Sequence, residues 1–135
     1  MENLKLELGV VEYAIPGGGT LRFNPADPGL YSRFAQAESQ MAEVETQLMK
    51  KAKNAAPEVL LSLMNEADSK AKNLLSDVFG QENDFHKALK GISLFAVCPD
   101  GKTLAENLFS ALGQVLEQGA DRLVQRKLEE AKKAL

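Results

Sequence analysis

Apolar and polar positions alternate at the start of the chain, and the period then changes. Leu4, Leu6 and Leu8 fall on one side of an extended segment and Lys5 and Glu7 on the other, the two-residue period of a half-buried strand. Gly9 breaks the parity, and Val11, Tyr13 and Ile15 resume the alternation on odd positions. A bulge at Gly9-Val10 would keep both apolar sets on one face. Pro16-Gly17-Gly18-Gly19 cannot extend a strand, and its glycines adopt positive φ readily. Leu21 and Phe23 then alternate again. The pattern predicts a β-hairpin across residues 4–23. A lone hairpin is marginal in water, so its apolar face must be covered by helices or by another subunit.

From Asp27 the period is helical. Asp27 suits an N-cap and Pro28 the first helical position. Leu30, Phe34, Ala37, Met41, Val44, Leu48 and Ala52 recur at spacings of three and four towards Asn54, as in a coiled-coil seam. Pro57 cannot lie in mid-helix and opens a second helix over about 57–79. Its stripe, Leu60, Met64, Ala67, Ala71, Leu74 and Val78, is widened by Leu61, Leu63, Leu75 and Phe79, which predicts burial on two sides. Gly80 occupies the place of a C-cap. Asn83 or Asp84 can cap a short helix reaching Lys90 and closed by Gly91. The apolar run Ile92–Cys98 fits a buried strand or a short helix begun by Ser93, and we favour the helix. Pro99-Asp100-Gly101 makes a turn, and Thr103 with Glu106 forms a capping box for a last helix from Leu104 towards the end. Its stripe is Leu104, Leu108, Leu112, Val115, Gly119, Leu123, Leu128, Ala131 and Leu135. Gly113 and Gly119 each weaken a helix by about 1 kcal/mol, so they mark a close contact or a bend.

The expected fold is therefore mainly α with an N-terminal β-hairpin (α+β). It is a helical bundle of about three long helices plus one or two short ones. One domain spans residues 1–135, divided into a hairpin arm (1–24), a helical core (25–112) and a charged amphipathic C-terminal helix (113–135). Four of the six phenylalanines, Phe79, Phe85, Phe95 and Phe109, fall between Asp77 and Leu112, which places the centre of the core there.

Composition narrows the function more by exclusion than by assignment. With 44% hydrophobic and 26% charged residues the chain has an ordinary globular profile. A net charge of −3, with both signs mixed, gives no basic field for nucleic acid. The N-terminus MENLKLELGV carries acid early and lacks a long apolar core, so no signal peptide is expected. No apolar run approaches bilayer-spanning length. Cys98 is the single cysteine, which fits a reducing, cytoplasmic compartment.

Catalytic chemistry has little to stand on. His86 and Cys98 are the single histidine and single cysteine. A dyad between them is weaker than the plain reading of a helix-rim histidine and a small buried hydrophobe. They cannot make the usual zinc site, and Asp68, Asp77, Asp84 and Asp100 lack the spacing of a hard-metal loop. Asp77 and Asp84 read as caps or solvated acids rather than a carboxylate pair. The triple glycine reads as a loop tip rather than a phosphate cradle, since no Lys-Ser/Thr follows. No enzyme, cofactor or metal is expected. What remains is apolar surface beyond what one small domain comfortably buries. The candidate interface is Leu4, Leu6 and Leu8 on the hairpin with Leu104, Leu108, Phe109, Leu112, Val115 and Leu116 on the last helix, and homo-oligomers are expected.

A series of short motifs adds a resemblance. F-N-P-A-D at Phe23–Asp27 precedes a helix carrying Tyr31, Arg33 and Phe34. D-V-F-G closes the second helix at Asp77–Gly80. F-x-x-A-L-x-G-x-S-L-F-A follows at Phe85–Ala96, then Asp100-Gly101, then L-A-x-N-L-F-S-A-L at Leu104–Leu112. In this order the series resembles the tail assembly chaperones of siphophages and prophages of Gram-positive bacteria. The resemblance implies a cytoplasmic protein of the bacterial host that coats the tape measure protein, keeps it soluble, recruits the tail tube protein and is absent from the finished tail. Residues Gly113–Leu135 are longer and more charged than that pattern. The alternative is an oligomeric structural component of a phage or other assembly, retained in the finished particle.

Overall fold

The structure is a computed structural model, and it describes residues 1–134. The chain is 61% helical, with a two-stranded antiparallel hairpin before four helices, three of them long. The hairpin pairs β1 (Val11–Ala14) with β2 (Thr20–Phe23) in the register Val11↔Phe23 and Tyr13↔Leu21. Its turn is closed by Ile15 N–H donating to the Gly19 carbonyl at 2.9 Å and Gly18 N–H donating to the Ile15 carbonyl at 2.8 Å. Leu21 and Phe23 point into the core.

The expected strand over Leu4–Leu8 does not form. Carried on in the observed register, Leu8 and Leu6 would face Ala26 and Pro28. Those residues belong to the turn and to the first turn of the next helix, so the arm has nothing to pair with. Residues 1–10 are irregular and exposed throughout. Period-two patterning specifies a face, but a strand also needs a partner for its amides.

Helix α1 (Pro28–Ala52) starts where the sequence places it. Asp27 Oδ1 accepts from Gly29 N–H at 2.9 Å, and Pro28 supplies the preset φ. Asn54 at φ 66° turns the chain into α2 (Pro57–Phe79). Gly80 N–H donates to the Ser76 carbonyl at 2.9 Å to close that helix. Arg33 Nε donates to the Val78 carbonyl at 3.1 Å, tying the start of α1 to the end of α2. The burial is one-ended in both helices. On α1 the buried residues are Leu30, Phe34, Ala37 and Met41; on α2 they run from Ala67 to Phe79. Leu61, expected inside, is 62% exposed.

Asp84 caps α3 (Phe85–Ala88), a single turn. Asn83, the other candidate cap, is instead buried, at 1% exposure. Its amide accepts from Arg22 N–H at 2.7 Å and donates to the Arg22 carbonyl at 2.9 Å and the Phe79 carbonyl at 2.8 Å. One side chain thus stands in for a third strand along the outer edge of β2 and fastens the hairpin to α2. The hairpin tip is fixed as well, by Gly19 N–H donating to the Ala88 carbonyl at 2.7 Å.

Ile92–Cys98 is neither the favoured helix nor a strand. It forms turns and one isolated bridge, Val97↔Thr103. A buried ion pair organises it. Lys72, 1% exposed, donates to Asp68 Oδ2 at 2.9 Å and to the Ile92 carbonyl at 2.8 Å, while Asp68 Oδ1 accepts from Leu94 N–H at 2.8 Å. These side chains satisfy the Ile92 carbonyl and Leu94 N–H, and bonds to Lys102, Leu104 and Ala105 take up other backbone groups, so the apolar run sinks Leu94 into the core without regular structure.

Helix α4 (Leu104–Lys133) is capped by Thr103 Oγ1, which accepts from Glu106 N–H at 3.2 Å. It is continuous through Leu112, the expected end of the core, and burial continues to Leu116 and Gly119. Gly119 marks a close contact, not a bend. A Cβ built there would lie 1.8 Å from the Pro25 carbonyl oxygen. Beyond Leu123 every described residue of the helix is exposed. Rings link the elements. Phe79 lies 4.9 Å from Phe23, 6.1 Å from Phe34 and 5.6 Å from Phe85 by centroid, and Phe34 stacks on Phe109 at 5.4 Å. No helix among the described residues is long and apolar enough to cross a membrane.

Candidate interaction surface

A concave surface lies between the distal parts of α1 and α2. Helix α4 packs on α1 where Phe109 stacks on Phe34, a small cleft lies between its first turns and Met41, Ala42 and Glu45, and the helix then runs towards Pro25. The tip of the α1–α2 hairpin therefore has no third helix over it. A groove of about 370 Å³ is left along its seam. Val44 and Leu48 from α1 and Leu63, Ala67 and Leu74 from α2 form an apolar floor. Glu43, Glu66, Lys51 and Lys70 stand along the rim, two of each sign. An apolar floor a few turns long between charged rims is the geometry that receives an amphipathic helix. Met49, Val59 and Leu61 add exposed apolar surface on the same tip, at 73%, 51% and 62% exposure.

The expected interface residues divide between two environments. Leu4, Leu6 and Leu8 are uncovered, at 88%, 71% and 69% exposure. Leu108, Leu112 and Leu116 are buried within the chain's own core, and Leu104, Phe109 and Val115 pack against it, half-buried. The C-terminal half of the expected interface is thus core, because α4 buries that stripe against α1 and the loop at Leu94. The structure does not bring the two halves together as one outward face. The groove was missed as a site, although its floor residues Val44 and Leu48 were legible as a stripe. The missing signal was how far α4 would reach.

The remaining candidates have structural occupations. His86 Nε2 lies 3.1 Å from Asn73 Oδ1. Cys98 is free and half-buried. Asp84 is a cap, and Asp77 Oδ1 accepts from Gln81 at 3.2 Å. Among the described residues no group of three or more His, Cys, Asp or Glu is placed to hold a metal ion. In the tail, the Glu130 carboxyl is held below the usual carboxylate range by a hydrogen bond from Lys127, by that residue's charge, and by Arg126.

No protein-family model, curated protein or solved structure matches the chain. The motif residues themselves serve the fold. In F-N-P-A-D, Phe23 is core, Asn24 bonds Ala26 N–H and the Leu8 carbonyl, Pro25 meets Gly119, and Asp27 caps α1.

Proposed function

We propose that this chain is a phage tail assembly chaperone that binds the tape measure protein, keeps it soluble in the host cytoplasm and promotes assembly of the tail tube around it. The observation that carries the reading is the open α1–α2 groove. A long helical client has an apolar stripe that aggregates when bare, and a floor of Val44, Leu48, Leu63, Ala67 and Leu74 between rims of mixed charge can cover a few turns of it. The mixed rim favours tolerance over sequence specificity, which suits a client with many similar turns. The ordered motif series supports the same assignment.

The test is co-expression with a tape measure protein from the same gene neighbourhood. The client is expected to become soluble and to co-purify, and Leu48→Asp with Leu63→Asp is expected to abolish this while the chain stays folded, since both residues lie beyond the buried core. No rescue by the wild-type chain would overturn the reading. Purified tails are expected to lack the protein. Finding it there in stoichiometric amounts would establish the retained structural component instead.

A further inference from the structure

Residues 1–10 carry a strand pattern that their own chain leaves unused. Leu4, Leu6 and Leu8 are the apolar face of that pattern, and all three are exposed. The arm's side-chain tie to the body is Asn24 Nδ2 donating to the Leu8 carbonyl at 2.9 Å. Gly9, at φ 71°, breaks the extended path between arm and β1, and a Cβ there would lie 2.7 Å from Asn24 Nδ2. The arm therefore leaves the hairpin instead of extending it, with its backbone amides unmatched and its leucines in water.

We propose that this arm pairs with the same arm of a second copy of the chain, antiparallel and centred on Leu6. The segment Leu4-Lys5-Leu6-Glu7-Leu8 is complementary to itself in that arrangement. Leu4 faces Leu8 of the second copy, Leu6 faces Leu6, Lys5 faces Glu7 and Glu7 faces Lys5. Six leucines share one face of the ribbon, and two opposite-charge pairs sit on the other. The other in-phase alignments match fewer pairs. Parallel pairing in register sets Lys5 against Lys5 and Glu7 against Glu7, and parallel pairing offset by two residues keeps a single Lys5–Glu7 pair and leaves the other Glu7 opposite Gly9. Moving the antiparallel centre by one residue either way sets Lys5 against Lys5 or Glu7 against Glu7. An offset that breaks the two-residue phase sets leucine against charge. The antiparallel alignment centred on Leu6 thus matches the most leucine and charge pairs, and the contact is isologous, as a two-fold dimer requires. It holds whether or not the groove takes a client.

Charge reversal tests it. Sedimentation velocity on the full chain is expected to show a dimer within concentrations up to about 1 mM, the range of weak complexes. K5E alone places Glu against Glu twice, and E7K alone places Lys against Lys twice. Each is expected to weaken dimerisation by roughly tenfold or more, with an unchanged circular dichroism spectrum because the arm lies outside the core. An equimolar mixture of K5E and E7K chains matches every pair again and is expected to dimerise as the wild type does. So is the double swap K5E/E7K. A monomeric wild type, single variants that associate as tightly as the wild type, or a mixture that does not recover would each overturn the proposal.

Discussion

Gly119→Ala and Gly113→Ala make the same chemical change in the same helix, and the structure gives them opposite signs. At Gly113 the new Cβ would meet Phe34 Cε1 at 3.9 Å, an ordinary contact. The substitution then acts through helix propensity and is expected to stabilise the chain by roughly 0.5–1 kcal/mol. At Gly119 the Cβ would lie 1.8 Å from the Pro25 carbonyl oxygen and 2.4 Å from its carbonyl carbon. Both atoms belong to the backbone of a buried residue, so neither side can swing away. Helix and loop must separate by roughly 1.5 Å to restore normal contact, which loosens Leu116 beside it. Overpacking of this kind costs about 3 kcal/mol against a propensity gain of about 1, leaving a loss of about 2 kcal/mol. For a chain of this length that lowers Tm by about 6–10 °C, against a rise of about 2–4 °C for Gly113→Ala. Thermal unfolding followed by circular dichroism at 222 nm measures both. If Gly119→Ala raises Tm as Gly113→Ala does, α4 does not rest on Pro25 and the described packing is wrong.

Lys72→Met removes the cation from a buried pair and leaves Asp68 with only Leu94 N–H. A loss of about 3 kcal/mol is expected in urea unfolding, and adding Asp68→Asn should recover part of it by removing the stranded charge. Asn83→Ala deletes two hydrogen bonds to the hairpin and one to α2 and is expected to cost about 2 kcal/mol, with hydrogen exchange accelerating first in β2. Glu130 has its pKa lowered on folding, so its contribution is complete above the usual carboxylate range and disappears as pH falls through the lowered value. It is solvent-exposed, and Glu130→Gln is expected to leave Tm unchanged, while the carboxyl itself titrates below a free glutamate by NMR.

The helices were legible because local rules and tertiary packing agree along them. Asp27-Pro28, Pro57, Gly80 and Thr103 set the boundaries, and the seams at Leu30–Met41 and Ala67–Val78 identify the buried faces. The strand at Leu4–Leu8 failed because a period-two pattern says nothing about whether an opposite strand exists; Pro25 and the start of α1 had already removed it. Ile92–Cys98 failed for a different reason. Its Ile92 carbonyl and Leu94 N–H are satisfied by Lys72 and Asp68, 20 and 26 residues away in sequence, and a lysine inside a helical stripe reads as surface until its partners are known. The groove was half legible. Val44, Leu48 and Leu63 were recognised as apolar, but their exposure depends on where α4 meets α1, which no local pattern encodes.

The stack of Tyr13 on Phe23, at 4.7 Å and 18° between planes, has an optical consequence. The chain has no tryptophan and two tyrosines. Tyr31 is 42% exposed on α1, whereas Tyr13 is half-buried against the core. Near-ultraviolet circular dichroism from tyrosine needs a fixed asymmetric environment, so the tyrosine band comes mainly from Tyr13. The wild-type molecule therefore carries its own reporter of hairpin docking. The band would vanish on release of β1 and β2 from Phe79, even while the far-ultraviolet signal of the three long helices persists.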